Sequence, residues 1–326
     1  MDLIKPQSEF NPEAPETGFY DLPESVYRAA PGVNWSTLKW VQQSEKTYKA
    51  HCEAKDKDSP AKQTGRIFHC MVLEPDKVGM YITPPDTYPL TPKKKDDPPK
   101  EGPWNMNAKH CRAWKAAKME LGFEVVKQAQ IDEARELADA LTPLPYVQEV
   151  MTDLAGTEVA VFWTDHVTGL LCKAKLDGFR NSYEIIDLKS ITPTRMVKNP
   201  MEDIGALAFY SQHHIQAAFY RDGVDTVLAT MGVSDPNGFF TFFYVEKGEG
   251  HDTAIMAMST DPRHAFVFPW IHNGRESYHA MLQTVSNALD SGFWPSWFPG
   301  PGGETDFMLF TIPEFLAKKL EVNMIC

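Results

Sequence analysis

The rhythm of apolar and polar positions changes twice along the chain. From Pro60 to Leu73, the residues Ile67, Phe68, Met71 and Val72 recur at helical spacing and predict a helix that Glu74-Pro75 stops. A shorter run, Trp35, Leu38, Trp40 and Val41, predicts a brief helix capped by Asn34 or Ser36. Asn107 to Leu121 and Ile131 to Leu141 are helical by composition and period, and Thr142-Pro143-Leu144-Pro145 ends that stretch. Alternation then takes over. Glu158 to Trp163 reads as a strand, and Leu170 to Phe179 and Tyr183 to Lys189 read as two more, joined by Arg180-Asn181-Ser182. Ile204 to Arg221 predicts a helix, Phe239 to Lys247 and Ala265 to Phe268 predict strands, and Arg275 to Ser291 predicts a closing helix. Helices, then strands, then helix and strand again predict an α/β layer: a mixed central sheet flanked by helices, with a helical insert.

Turn residues divide this pattern. Pro6, Pro12, Pro15, Pro23 and Pro31 mark residues 1–33 as an extended N-terminal arm with little core of its own. Residues 34–292 form a single domain with an insert at about 76–150, and residues 293–326 a C-terminal extension. Within the insert, residues 83–103 hold seven prolines and four lysines and predict a long exposed loop.

Composition narrows the function classes. Hydrophobic residues at 43% and charged residues at 23% in 326 residues suit a globular chain with a real core. No apolar run reaches the roughly 18 residues that span a bilayer, and the acidic, proline-rich start reads as no secretory signal. Five scattered cysteines without a CxxC argue against a zinc ribbon, an iron–sulfur site or a disulfide framework, so a reducing cytoplasm fits. The net charge of −12 argues against a nucleic-acid coat, though not against an enzyme with a locally basic groove.

The segment LLCKAKLDGFRNSYEIIDLKS (170–190) carries the chemistry. Alternate residues of a strand share a face, so Lys173, Lys175 and Asp177 point one way. In the next strand Ile185, Asp187 and Lys189 share a face, with Ile186 and Leu188 toward the core. A hairpin turning about Ser182 sets Asp177 opposite Asp187, two carboxylates roughly 5 Å apart at Cβ. Facing like charges repel, but together they suit a hard divalent cation, and a nearby lysine can orient a water. The plainer reading is a charged, solvated strand face. Gln212, Gln216 and Tyr220 fall on one face of the following helix, as on any half-exposed helix. His69 has room beside Gly65 and is either an ordinary helical histidine or a ligand completing a carboxylate site, with Glu158 the candidate in its place.

Taken together, these pieces resemble the PD-(D/E)XK nuclease superfamily, in its RecB- and RecE-like branch. GRIFHCMVLEP (65–75) resembles the Gly-x-x-x-His helix, KAKLDGF (173–179) and IIDLKS (185–190) the two acidic motifs, and QAAFY (216–220) the Gln-x-x-x-Tyr motif. PGVNWSTLKWVQQSEKTYKAH (31–51) is similar to the opening of RecE-type phage exonucleases. The resemblance implies a restriction-endonuclease-like core and metal-dependent hydrolysis of double-stranded DNA from its ends. It assigns His69, Asp177, Asp187 and the Leu188 carbonyl to one or two Mg²⁺ (Mn²⁺ can substitute), Lys189 to the attacking water, and Gln216 and Tyr220 to DNA. It further implies a homo-oligomeric ring, 5′→3′ resection feeding a single-strand annealing protein, and the cytoplasm of a bacterial host. An endonuclease on the same core and a non-catalytic recombination scaffold are the alternatives.

Overall fold

The structure, a computed structural model, describes residues 3–54, 58–90, 100–192, 200–233, 238–264 and 268–296. In chain order the elements are β1 (Ile4–Pro6), β2 (Gly18–Asp21), α1 (Glu24–Ala29), α2 (Trp35–Leu38), α3 (Glu45–Glu53), α4 (Pro60–Leu73), β3 (Tyr81–Ile82), β4 (Thr87–Pro89), β5 (Glu101–Pro103), α5 (Lys109–Glu120), β6 (Glu124–Val125), α6 (Gln128–Leu141), α7 (Pro145–Thr152), β7 (Leu154–Thr164), β8 (Leu171–Arg180), β9 (Ile185–Ile191), α8 (Pro200–Tyr210), α9 (His213–Thr230), β10 (Phe239–Glu246), β11 (Thr253–Ser259) and α10 (Phe268–Ser291). The chain divides into two compact units, residues 1–35 with 55–279 and residues 36–54 with 280–326.

The larger unit is built on a seven-stranded mixed sheet in the order β1-β2-β7-β8-β9-β10-β11. Strands β7, β8 and β9 run antiparallel in sequence, whereas β9 and β10 are parallel. A parallel pair needs a crossover connection, and the chain between β9 and β10 carries α8 and α9. Ile67, Phe68, Val72 and Leu73 of α4 pack with Leu137 and Leu141 of α6, Val147 of α7, and Ile186, Leu188, Phe243 and Val245 of the sheet. The Pro60–Leu73 helix stands where its apolar spacing predicts it.

Over the described residues 3–33 the N-terminal segment is packed on the sheet and does not extend as an arm. β2 pairs with β7, and Phe10, Tyr20, Leu22 and Ala30 are buried against Ala160 and Phe162. Aromatic residues between the prolines supply that core. The amine of Lys173, 4% exposed, donates to the carbonyls of Tyr27 at 2.9 Å and Ala30 at 2.5 Å. It thus satisfies carbonyls that the end of α1 leaves without partners, and burial pulls the amine down to about 8.

Three further readings change. The helix expected over 204–221 is broken at Gln212, whose φ of 62° is left-handed, so Gln212 precedes α9 and leaves the Gln216–Tyr220 stripe. β11, α3 and α7 form where no element was expected. Phe268 opens α10, and residues 265–267 of the expected strand lie outside the described residues. The loop at 83–103 contains a paired β4 and β5; Lys93, Lys94 and Lys95 lie outside the described residues, as do residues 297–326 of the extension. No helix among the described residues is long and apolar enough to cross a membrane. In the smaller unit Trp40 stacks on His51 at 4.0 Å and Tyr48 on Trp294 at 5.9 Å.

α9 lies close on β7 because Gly223 has no side chain: a methyl there would sit 2.7 Å from the Trp163 ring. Gly→Ala ordinarily gains about 1 kcal/mol in a helix, while overpacking a core costs about 1–3 kcal/mol. The rigid indole decides the sign. Gly223→Ala is expected to destabilise the protein by about 1 kcal/mol, measured as a lower urea midpoint at unchanged slope.

Candidate metal centre

The site begins where two strands part. β8 and β9 pair at Phe179–Ile185 and Gly178–Ile186. The pairing is centred on Ser182, as expected, and continuing it by one step would put Asp177 across from Asp187. There the backbone ladder stops, and Oδ2 of Asp177 accepts the Leu188 N–H at 2.8 Å. A side-chain carboxylate thus replaces a backbone acceptor.

Two more elements bring groups to that carboxylate. While Ile67 and Phe68 anchor α4 in the core, His69 turns to the strand edge. Its Nε2 lies 3.1 Å from the Leu188 carbonyl and its Nδ1 lies 3.4 Å from Oδ2 of Asp177. A nitrogen facing a carbonyl carries hydrogen, so in the neutral ring the Nδ1 lone pair faces Asp177. A carbonyl that orients the imidazole in this way is the usual support of a metal-binding histidine. Glu158 arrives from β7, between the Thr157–Gly178 and Val159–Leu176 pairs. Its φ of 52° is left-handed in mid-strand, which costs a residue of this size about 1–3 kcal/mol. Ligand-capable atoms of His69, Glu158 and Asp177 all lie within 4.8 Å of one another.

Asp187 sits beside this group and is differently held. It is 4% exposed, and its Oδ1 accepts from Gln216 Nε2 at 2.7 Å. Its Oδ2 is 2.5 Å from the Lys189 ammonium, yet has no aligned hydrogen-bond donor among the described residues. That contact is an ion pair without hydrogen-bond alignment. Burial raises the Tyr220 hydroxyl well above its ordinary range, with the nearby Asp187 and Asp177 charges adding to the rise. Lys175, two residues before Asp177, reaches Glu158 Oε2 at 3.0 Å and Glu24 Oε2 at 2.7 Å.

Burial pushes the Asp177 carboxyl up to about 6, against the pull of His69 and with the charges of Asp187 and Glu158 adding to the rise. Three carboxylates in one place are unfavourable without a cation. One imidazole nitrogen and several carboxylate oxygens, with a backbone carbonyl adjacent, fit Mg²⁺ or Mn²⁺ by the chemistry of the donor set.

Of the residues singled out in the sequence, the fold brings His69, Asp177 and the Leu188 backbone into contact and sets Asp187, Lys189, Gln216 and Tyr220 next to them. Glu158, considered in the sequence only in place of His69, stands beside it. Its signal was its place on the first strand, opposite the stretch that carries Asp177.

No protein-family model matches the chain, and no curated protein matches it. A solved structure does. The crystal structure of a "putative exonuclease" from Eubacterium rectale is similar in fold, with a TM-score of 0.53 at 15% identity, covering 91% of this chain and 98% of that one. The likeness extends over almost the whole of both chains, so the mixed sheet and its flanking helices form one shared architecture.

The raised Asp177 carboxyl has a stability consequence. The native state takes up a proton between about pH 4 and pH 6 that the unfolded chain does not, so stability falls as pH rises through that window. Asp177→Asn removes this penalty. In metal-free protein the variant is expected to gain up to about 3 kcal/mol over wild type at pH 7.5, with most of the gain gone at pH 4. Urea unfolding in chelator at the two pH values measures it, and a gap that does not change with pH would contradict the raised carboxyl.

Proposed function

We propose that the chain is a Mg²⁺-dependent exodeoxyribonuclease that hydrolyses double-stranded DNA from its ends. The observation that carries this reading is the convergence of His69, Glu158 and Asp177 from three elements beside the Asp187–Lys189 pair. The four motifs in order and the fold shared with a "putative exonuclease" support it.

When bound, the cation supplies Lewis-acid charge that activates water and offsets negative charge growing on the phosphate. The chain's own groups do the rest. His69, oriented by the Leu188 carbonyl, offers Nδ1, and Asp177 and Glu158 offer oxygens. Asp187 holds the Lys189 ammonium beside them, where it can orient the attacking water or stabilise transition-state charge. Gln216 holds the other oxygen of the Asp187 carboxylate, and with Tyr220, one helical turn on, it is assigned to the DNA strand. On the same reading digestion runs 5′→3′, a ring of subunits encloses the duplex, and the product strand passes to a single-strand annealing protein. A ring with a locally basic channel accommodates DNA despite the net charge of −12.

Linear duplexes labelled at the 5′ or the 3′ end, incubated with Mg²⁺, test the reading. Release of acid-soluble nucleotides from the 5′ label first, with covalently closed circles left intact, is expected. Rapid cutting of closed circles would make the chain an endonuclease, and no release at all would make it a binding scaffold. Lys189→Ala should lower the cleavage rate by about 10²–10³-fold while DNA and Mn²⁺ binding persist. Unchanged turnover would remove Lys189 from the chemistry.

A further inference from the structure

Lys175 has no part in the chemistry above, yet it is held as tightly as the residues that do. Its side chain is 14% exposed. The ammonium lies 2.7 Å from Glu24 Oε2 and 3.0 Å from Glu158 Oε2, and 6.0 Å from the centre of the Tyr27 ring. Glu24 and Tyr27 both belong to α1, whose end is fixed by the neighbouring Lys173. α1 is therefore tied to β8 by two lysines on one strand face, and the second of them reaches the metal-site carboxylate. Glu158 needs such a hold: its backbone is left-handed and its side chain is 37% exposed.

We propose that Lys175 is a positioning residue that holds the Glu158 carboxylate beside His69 and Asp177 and thereby raises the affinity of the centre for a divalent cation. The inference rests on the metal reading of the centre.

Charge and position make opposite predictions. By charge alone, an ammonium near a cation site repels the cation, so its removal tightens binding. By position, its removal frees Glu158 and weakens binding. Glu24 neutralises the ammonium at 2.7 Å, so the Lys175–Glu24 pair presents little net charge to the centre, and position prevails.

Isothermal titration with Mn²⁺ alone on wild type, Lys175→Met and Lys175→Arg decides, with thermal unfolding of each metal-free protein alongside. Lys175→Met should bind Mn²⁺ about tenfold more weakly, equivalent to about 1.4 kcal/mol, and Lys175→Arg, able to span both carboxylates, should stay within about threefold of wild type. Unchanged or tighter binding by a folded Lys175→Met overturns the inference. If that variant does not fold, Lys175→Gln, which removes the charge but keeps a polar end in the clamp, replaces it, with weaker binding expected and unchanged or tighter affinity overturning. Wild type that binds no Mn²⁺ sinks this inference and the metal reading together. Wild type that binds, with variants that bind equally well, sinks this inference alone.

Discussion

A buried carboxylate next to two others is the constraint on which the arrangement depends. Asp177 cannot sit beside Glu158 and Asp187 unless each negative charge is answered. The answers come from different directions. Leu188 N–H and His69 answer Asp177, Lys189 and Gln216 answer Asp187, and Lys175 answers Glu158. Each of these groups lies on an element that has its own reason to be there. α4 is anchored by Ile67 and Phe68, α9 by the close approach of Gly223 to Trp163, and β9 by Ile186 and Leu188. The hydrophobic layers fix the elements, and the polar pairs use positions those layers already determine.

The unfavourable terms collect at the same place. Asp177 is held away from its ordinary protonation, Glu158 occupies a left-handed backbone position, and Asp187 keeps an unaligned oxygen. An apolar strand crossing here would avoid all three. Strain and unaligned polarity gathered around a single cluster are what the metal reading proposed above accounts for.

Much of the fold was legible because two periods carry it. The α4 stripe reports which side of that helix is buried, the alternation in LLCKAKLDGF and EIIDLKS separates a charged from an apolar face although both are largely covered, and the turn at Arg180-Asn181-Ser182 fixes the register. Period reports nothing about a single residue that leaves its backbone region. Gln212 breaks a helix whose apolar pattern continues past it, and Glu158 takes a left-handed backbone in a strand whose alternation looks regular. The N-terminal segment hides its packing for a related reason. Its prolines interrupt the pattern and conceal Phe10, Tyr20 and Leu22, which become buried only because β7 supplies Ala160 and Phe162 from far along the chain. β11 presents the same difficulty: TAIMAMS has no β-branched run, and its strand exists because β10 pairs with it from Phe239 to Val245.

The odd positions of β8 show how one local rule serves several ends. Lys173, Lys175 and Asp177 follow one another at the strand period, and their roles change along the line. Lys173 is buried and closes the end of α1, Lys175 ties α1 to Glu158, and Asp177 enters the carboxylate cluster. Sequence alternation alone shows three charged residues on one strand face and would class them as solvated. What distinguishes them is the covering that α1 provides, and α1 lies in the segment whose prolines suggested an arm. The N-terminal residues therefore shape this strand face without entering the carboxylate cluster: Lys173 is buried under α1, Lys175 is paired with Glu24 of α1 and with Glu158, and Asp177 lies beyond α1 beside His69.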